Sequence, residues 1–445
     1  MNVEFSGTFR RLDGVSPYQH MILTNARLIF PDGIRDGLEV VVEGGRITAI
    51  REQTRLRSPR RPTARQTHAR GNDVIHLGGN YLAPGFVDLH VHGAAGRDTM
   101  EASPEAFGVI CDYHASGGTT SLLLTTATAP MNSIVDVLTA VRDSGQRRAR
   151  QLALSLPNGR PTSAIAGVHV EGPFISKAKC GAQRAEFIRD PSATVVQQLL
   201  AYADAIKRVT IAPELPGALE AIESFHAIGI SVSGGHSDAW DEDAQNAFDR
   251  GMRSVTHTFN CMSSARRRGI YRVAGLLEFA LSESQISCEL IADGHHVSAR
   301  LMKMLYRAKG ASGICLVTDA TAGAGLPDGS RFSLFGKDCI VEGGVCLLAD
   351  RSAMAGSVSR MIDLVRMMVQ HVGVPLHEAV TMATENPARA VGLQAKGHLE
   401  IGADADFVVL SPELEVVRTF SAGEEIFSLD RQSVIPSGVE GSLNV

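Results

Sequence analysis

The sequence predicts an α/β protein, a (β/α)8 TIM-like barrel with a small β-sandwich domain built from both termini. Two observations support this prediction. Eight short apolar segments recur through the chain and alternate with segments of helical periodicity, as in parallel βαβ units. Almost every apolar segment also ends in a His, Glu or Asp. Because such a barrel places its chemistry at the carboxyl ends of its strands, residues distant in sequence are expected to meet there.

The eight predicted barrel strands follow one another at roughly regular intervals. They cover residues 82–92, 119–126, 166–173, 209–214, 230–236, 254–260, 287–296 and 313–320. Residues 361–369 and 376–391 have helical periodicity after the last strand. Between that strand and its helix, residues 332–348 predict a β-hairpin inserted over the mouth of the barrel.

The small domain is predicted from β-branched segments near both ends of the chain. Residues 21–50 contain such segments, broken by Asp32-Gly33 and Gly44-Gly45, and residues 397–410 and 416–423 repeat the pattern. The predicted division is residues 1–80 and 396–425 for the small domain, 81–395 for the barrel and 426–445 for a tail with a disordered end.

Composition limits the classes of partner. The net charge of -5 argues against a nucleic-acid partner, and the arginine-rich residues 51–70 are interpreted as an exposed loop. The seven cysteines include no CxxC motif, which indicates a reducing compartment. Since no apolar run approaches the ~20 residues of a membrane span, no membrane partner and a cytoplasmic location are expected.

A cluster of metal ligands is predicted at the strand ends. Residues i and i+2 of a strand point to one face, so His90 and His92 both face the barrel lumen. By the same rule Asp88 lies on the face of His90 and His169 on that of Glu171. We interpret Asp88 as orienting a ligand and His169 as a hydrogen-bonded lumen residue.

His236 and His257 complete a histidine-rich set with Glu171. Imidazole and carboxylate groups suit Zn, Fe, Co or Mn, and the sequence does not choose among these metals. Asp319 ends the last predicted strand. A carboxylate beside a cation can take a proton from water and later deliver it to a leaving group, which makes Asp319 the candidate general base and acid. The alternative role for Asp319 is a cap for the following loop.

These motifs resemble the amidohydrolase superfamily, and most closely the family of N-acetylglucosamine-6-phosphate deacetylases. The similar segments run in family order over residues 20–425. They are PGFVDLHVHG (84–93), HVEGPF (169–174), APE (212–214), GHSDA (235–239), THTFN (256–260), ADGHH (292–296), TDAT (318–321), AGS (355–357) and TENPARA (384–390).

The resemblance implies a metal-dependent hydrolase that removes the N-acetyl group from an amino-sugar 6-phosphate and gives the free amine and acetate. It implies Glu171, His236 and His257 as the principal metal ligands and Asp319 as the catalytic acid and base. His90 and His92 would allow a second cation, so one or two divalent ions are expected per subunit, with Zn favoured.

The resemblance also implies the residues that bind the substrate. They are Ala182, Gln183, Asn260, Cys261, His296, Met354, Ala355, Gly356 and an arginine lent by a neighbouring subunit, here Arg268. If Arg268 serves a neighbouring active site, the protein is a homodimer.

Three departures from the family pattern affect the substrate site. Gln183 stands where the family usually has a histidine, and a neutral amide can donate a hydrogen bond but cannot become a cation. Cys261-Met262-Ser263 replaces Ala-Met-Pro. Three consecutive arginines, Arg266–Arg268, stand where one is expected, and they suit either an oxyanion ligand or a solvated loop.

Rival functions remain open at this point. On the same barrel the chain could deacetylate N-acetylgalactosamine 6-phosphate or another N-acyl amino sugar. It could also hydrolyse cyclic amides or N-acyl amino acids, although relatives of that kind often bridge two metals with a carboxylated lysine that has no obvious counterpart here. A non-enzymatic assembly role would predict eroded ligands, and all of them are present.

Overall fold

A computed structural model describes residues 20–53, 73–150 and 161–432. Its centre is a sheet of eight parallel strands hydrogen-bonded in chain order. They are β1 (Phe86–Val91), β2 (Thr119–Thr126), β3 (Ala164–Glu171), β4 (Ile206–Ile211), β5 (Ser231–Gly234), β6 (Met252–Val255), β7 (Ser287–Leu290) and β8 (Ile314–Leu316). The first and last strands meet at their carboxyl ends, where Val91 forms a bridge with Ala320. The sheet is therefore a nearly closed barrel.

A helix follows each barrel strand. These helices are α1 (Pro104–Ala115), α2 (Met131–Arg150), α3 (Ala193–Leu200), α4 (Ala218–Ala227), α5 (Asp241–Asp249), α6 (Leu276–Ser282), α7 (Ala299–Lys309) and α8 (Met361–Met367). A π-helical segment, Met368–Val372, and two further helices, α9 (Leu376–Ala383) and α10 (Glu385–Ala390), follow α8. This alternation confirms the predicted (β/α)8 architecture. None of the helices in the described ranges is both long and apolar enough to cross a membrane.

The barrel core lies between the strands and the inner faces of the helices. All eight residues of β2 are buried, as expected for a parallel strand covered on both faces. On α4 the buried Ile222 and Phe225 are three residues apart and turn one face to the sheet. The seven cysteines, all within described residues, form no disulfide.

Several predicted strands are longer than the observed ones. Tyr81–Pro84 pairs with the terminal sheet and not with the barrel. β5, β6 and β8 end before the residues predicted to finish them. The reason is local backbone geometry, since His236, His257 and Asp319 have φ angles of 45°, 28° and 48°. A left-handed residue turns the chain out of the strand ladder, so these three side chains lie in the turns that follow the strands.

Both ends of the chain contribute to one further sheet. Its strands are His20–Phe30, Gly33–Glu43, Arg46–Glu52, Asp73–His76, Tyr81–Pro84, Phe407–Leu410, Val416–Ser421 and Glu424–Ser428. Phe407–Leu410 pairs antiparallel with Tyr81–Pro84 and so joins the two ends. The predicted small β domain is thus confirmed, with its strands hydrogen-bonded in a single sheet. Many of its apolar side chains form a cluster separate from the main barrel core, while Ile29, Ala83, Val408, Leu410 and Val416 belong to that core.

The terminal sheet extends beyond the predicted boundary at residue 425. Its last strand ends at Ser428, with Ile426 buried, and a short helix, α11 (Leu429–Gln432), follows it. Residues 426–432 of the predicted tail are therefore in regular structure, and the predicted division into domains stays a prediction. Most of the arginine-rich segment 51–70 and the end of the tail lie outside the described residues.

The insertion after β8 has three strands where a two-stranded hairpin was predicted. They are Arg331–Leu334, Lys337–Glu342 and Val345–Leu348, paired antiparallel in that order. The additional strand lets the insertion bury its own small apolar cluster, which includes Leu334, Cys339 and Cys346. Shorter antiparallel pairs are Gly93–Ala94 with Arg97–Asp98 and Arg266–Arg268 with Tyr271–Val273.

Candidate active site

Four imidazoles surround one carboxylate at the carboxyl end of the barrel. Oε1 of Glu171, the last residue of β3, lies 3.1 Å from Nε2 of His257 and 3.2 Å from Nε2 of His236. The same oxygen is 3.4 Å from Nε2 of His90, while Oε2 is 3.1 Å from Nε2 of His92. The structure therefore brings all five predicted metal ligands into one buried cluster.

The donor atoms of this cluster fit a divalent cation. Nε2 of His236 and Nε2 of His257 are 3.1 Å apart, and those of His90 and His92 are 3.3 Å apart. Two neutral imidazoles cannot both present lone pairs at such distances without repulsion, which a cation between them would remove. Two sets of three ligands result, one of Glu171, His236 and His257 and one of His90, His92 and Glu171. Nitrogen and carboxylate donors suit zinc and its neighbours.

Contacts on the far side of the rings aim them at Glu171. Nδ1 of His236 is 2.8 Å from the Lys179 carbonyl oxygen, and Nδ1 of His92 is 3.2 Å from that of Thr125. Each Nδ1–H can donate to its carbonyl, which leaves Nε2 as the ligand atom. Among the described residues, Nδ1 of His257 has no hydrogen-bond partner.

The side chains of the cluster also stabilise one another in their charged forms. Burial opposes ionisation of Glu171, but the imidazoles of His90 and His236 outweigh it and hold the pKa of the carboxyl well below its usual range. Burial likewise opposes a charge on His90, yet Glu171 and Asp319 hold the pKa of this imidazole well above its usual range. A buried anion that draws positive charge to its neighbours is a suitable environment for a metal ion.

Asp319 lies beside the His90 and His92 half of the cluster. Its Oδ1 is 3.5 Å from Nε2 of His90 and 3.4 Å from Nε2 of His92. The backbone holds it there, since its amide donates to the His90 carbonyl oxygen at 2.9 Å. The carboxylate is therefore fixed at the edge of the cluster, where it also lines the open cavity.

Two lumen residues were expected to support the ligands. Asp88 accepts hydrogen bonds from the backbone amide of His90 (3.2 Å) and the Thr318 hydroxyl (2.6 Å). Its contact with the candidate ligand His90 is therefore made through the backbone. Burial raises the pKa of Asp88 to about 7. His169 lies between the Leu89 carbonyl oxygen (3.1 Å) and the Thr210 hydroxyl (2.8 Å), as expected of a hydrogen-bonded lumen residue. Burial holds its pKa well below the usual range.

The sequence analysis missed a buried ion pair in the lumen. Oε1 of Glu289, in β7, lies 2.9 Å from Nε of Arg208, in β4. Arg208 also donates to the hydroxyls of Ser233 (3.1 Å) and Ser254 (2.8 Å). The available signal was a charged residue within each of two largely buried strands, Arg208 next to Lys207 in β4 and Glu289 in β7, since proteins rarely bury a charge without a partner.

A cavity of about 270 Å³ opens above the cluster. Most of the predicted substrate-binding residues line it, namely Ala182, Gln183, Asn260, Cys261, His296, Met354 and Gly356. Ala355 is fully buried behind this wall, and its amide donates to the Cys346 carbonyl oxygen at 2.9 Å. The insertion covers the mouth, as predicted, since Phe335 lines the cavity with its ring centroid 5.2 Å from that of His92.

Two of the lining residues are held by specific contacts. Gln183 donates from Nε2 to Oε2 of Glu171 at 2.7 Å and accepts from the Thr128 amide at 2.8 Å. Nδ1 of His296 is 2.7 Å from Oδ2 of Asp293. Burial opposes a charge on His296, but the contact with Asp293 outweighs it and raises the pKa of the imidazole.

Arg268 does not reach the cavity of its own chain. It pairs with Glu242 (Nη2 to Oε2, 3.1 Å), and its guanidinium carbon lies 4.0 Å from the centre of the Trp240 ring. The hairpin that carries it exposes Ile270 and Tyr271, which are 81% and 69% accessible. The predicted role of Arg268 in a neighbouring subunit stays a prediction.

Comparison with known proteins defines the class to which this site belongs. The profile of the amidohydrolase family matches residues 81–426. The N-acetylglucosamine-6-phosphate deacetylase of Lysinibacillus sphaericus is 34% identical over 405 residues, which cover 91% of this chain and 97% of the relative. The N-acetylgalactosamine-6-phosphate deacetylase of Escherichia coli O157:H7 is 33% identical, over 77% of this chain and 87% of the relative. The chain belongs to the amidohydrolase family, whose members depend on metal ions.

Solved structures narrow the assignment. The N-acetylglucosamine-6-phosphate deacetylase of Pasteurella multocida superposes with a TM-score of 0.80 at 30% identity, covering 91% of this chain and 99% of that protein. A mutant of the Mycobacterium smegmatis enzyme in complex with N-acetyl-D-glucosamine 6-phosphate superposes with a TM-score of 0.79 at 30% identity, over 92% of this chain and 100% of that protein. Within the amidohydrolases, the chain belongs with the N-acetylglucosamine-6-phosphate deacetylases.

Proposed function

We propose that this enzyme hydrolyses the N-acetyl group of N-acetyl-D-glucosamine 6-phosphate and releases D-glucosamine 6-phosphate and acetate. The observation that carries the proposal is the placement of His92, Glu171, His236, His257 and Asp319 along a single cavity, with the remaining candidate ligand, His90, buried beside them. The other walls contribute amide and imidazole groups suited to a polar, anionic ligand. The names of the relatives support the same substrate class.

The proposed cofactor is zinc, as one or two ions per subunit. Glu171, His236 and His257 would hold one ion, and His90 and His92 would contribute to a second. A bound divalent cation lowers the pKa of a water molecule from about 15.7 toward 7 and polarises a carbonyl oxygen. The remaining steps depend on side chains of the chain itself.

Asp319 is the proposed proton carrier. Its Oδ1, close to His90 and His92, would take a proton from the attacking water as the new C–O bond forms at the acetyl carbon. The same proton would pass to the amide nitrogen as the C–N bond breaks, so that the neutral amine and acetic acid form, and the acid then loses its own proton to the amine or to solvent and leaves as acetate. One carboxylate can therefore serve first as base and then as acid.

The substrate would be held by neutral and cationic groups around the cavity. One amide hydrogen of Gln183 is engaged by Glu171, so the other can donate to the acetyl oxygen. His296, whose pKa Asp293 raises, suits the phosphate, together with Asn260. Arg268 would reach the phosphate from a neighbouring subunit in a homodimer that covers Ile270. Light scattering of the purified protein tests this dimer.

Steady-state deacetylation tests the substrate. Apo-protein loaded with Zn²⁺ is assayed against N-acetylglucosamine 6-phosphate, the galacto epimer and unphosphorylated N-acetylglucosamine. We expect the highest kcat/KM for the phosphorylated gluco sugar. The galacto epimer is the second candidate, because a relative of 33% identity is named for that activity. Equal turnover of the unphosphorylated sugar would overturn the phosphate requirement.

A further inference from the structure

A buried ion pair lies in the barrel lumen directly behind two of the proposed metal ligands. Oε2 of Glu289 is 3.4 Å from Nδ1 of His90 and 3.2 Å from the backbone amide of His257. Its other oxygen faces Arg208. Glu289 and Arg208 are each 1% accessible. One carboxylate oxygen therefore contacts a ligand from each half of the cluster, one through its ring and one through its backbone.

Donor distances alone would also allow a cation among His90, His169 and Glu289. Three contacts argue against it. Both ring nitrogens of His169 already have oxygen partners, and the guanidinium of Arg208 lies 2.9 Å from Glu289, where it would repel a cation. This group is better understood as a support behind the cluster.

Removing an ion pair from water is costly unless the pair has good geometry and further hydrogen bonds. Here Arg208 donates to Ser231, Ser233 and Ser254, whereas Nε of Arg208 and Oε1 of Glu289, 2.9 Å apart, form no hydrogen bond with each other. The guanidinium of Arg208 lies close to the other oxygen of Glu289 and compensates its negative charge. A carboxylate is a stronger acceptor for an N–H group than a neutral oxygen.

We infer that Glu289, held in place by Arg208, is a positioning residue that fixes the ring of His90 for a second cation. By accepting from Nδ1–H, it leaves Nε2 of His90 as the ligand atom, and its contact with the His257 amide ties this ring to the other half of the cluster. Carboxylates that orient metal-bound histidines act in this way. The inference rests on the proposed function, namely its site for two cations. It identifies a buried residue that supports His90, a ligand of the second cation.

Two matched double variants test this role. R208M/E289Q and R208M/E289L both remove the buried charges, but only the first keeps an oxygen that can accept from Nδ1 of His90. Apo-protein is titrated with Co²⁺ and followed by its visible absorption bands, with thermal unfolding of each apo-variant as the stability control. We expect wild type and R208M/E289Q to bind two Co²⁺ ions. R208M/E289L should bind the first normally and the second about 10- to 100-fold more weakly.

Glu289→Asp provides a second comparison if R208M/E289L does not fold. It keeps the charge but withdraws the carboxylate by about 1.5 Å, one C–C bond length, and should weaken the second Co²⁺ alone. The inference is overturned if R208M/E289L, or Glu289→Asp in its place, binds the second ion as tightly as wild type. It is also overturned if wild type binds one ion only. Because no substrate enters this experiment, its result is independent of which sugar the enzyme prefers.

Discussion

The two halves of the metal cluster are positioned by different means. His90 lies in β1 and His92 directly follows that strand, and both imidazoles reach Glu171. His236 and His257 instead lie in left-handed turns after β5 and β6. The second half, His90 and His92, follows from strand periodicity, whereas the first half, His236 and His257, depends on a backbone conformation that non-glycine residues rarely adopt.

The supports behind the halves differ as well. His236 is aimed by a backbone carbonyl, that of Lys179, on the loop after β3. His90 is aimed by the side chain of Glu289, whose other oxygen faces Arg208. A backbone support survives most substitutions, while a side-chain support can be removed by one. The half that contains His90 should therefore be easier to empty without disturbing the other half.

Substitution of a ligand in the first half should have the largest effect. His236→Asn removes a ligand from the set that holds the principal cation, and loss of several kcal/mol of charge stabilisation predicts a fall in kcat of more than about 10³-fold. Metal content by mass spectrometry should fall together with kcat. His295→Asn, which changes an exposed histidine outside the cavity, is the matched control and should leave both unchanged. Normal turnover by the His236 variant would contradict the ligand assignment.

Asp319→Asn separates proton transfer from metal binding. The amide keeps the size of the side chain but cannot carry the proton, so kcat should fall by about 10² to 10⁴-fold. Metal content should stay that of wild type, in contrast to the His236 variant. A loss below about tenfold would exclude Asp319 as the general base and acid.

His90→Asn should empty only the second half. We expect the number of bound Zn²⁺ ions to fall from two to one, with a smaller loss of kcat than for His236→Asn. Mass spectrometry of the protein under native conditions gives the number of bound ions for the wild type and for the variant. If this variant loses both ions, the halves are not independent and the comparison between them fails.

Substitutions of Gln183 test its hydrogen bond to Glu171, a contact that involves none of the four histidines. Gln183→Leu removes the donor 2.7 Å from Oε2 of Glu171 and should lower cation affinity by about 10- to 100-fold. Gln183→His should retain a donor but add a titrating group. Its profile of kcat/KM between pH 5 and 8 should therefore gain an inflection near the usual histidine pKa of about 6.5. Identical profiles for the wild type and the histidine variant would contradict a contact between this residue and the substrate.

The smallest effect is expected at the insertion. Phe335→Leu keeps an apolar side chain but loses the ring packed on His92, so KM should rise by less than about tenfold at unchanged kcat. A fall in kcat with unchanged KM would show that Phe335 positions His92 and does not merely cover the mouth.

The sequence predicted what depends on spacing and residue type. Eight strands could be counted, and five candidate metal ligands could be predicted to meet, because parallel strands bring their carboxyl ends together. The exact strand ends could not be predicted. His257 and Asp319 look like strand residues in an apolar run, and only tertiary contacts, such as the bond from the Asp319 amide to the His90 carbonyl oxygen, hold them in left-handed turns.

Long-range pairing accounts for the other differences. Arg208 and Glu289 lie about eighty residues apart, and the sequence does not show that they are partners of each other. Tyr81–Pro84 has the apolar character of a barrel strand, but it pairs with Phe407–Leu410 near the other end of the chain. The third strand of the insertion could not be predicted, because the alternation of apolar residues does not determine which segments pair.

Titration of the apo-enzyme with Zn²⁺, with deacetylation of N-acetylglucosamine 6-phosphate followed at each step, tests the central claim most directly. We predict no measurable turnover without metal and a rise in activity that saturates within two equivalents of Zn²⁺. His236→Asn should stay inactive throughout the titration. Full activity of the metal-free protein, confirmed by mass spectrometry to contain no bound metal, would contradict the claim that this cluster carries the cation on which the reaction depends.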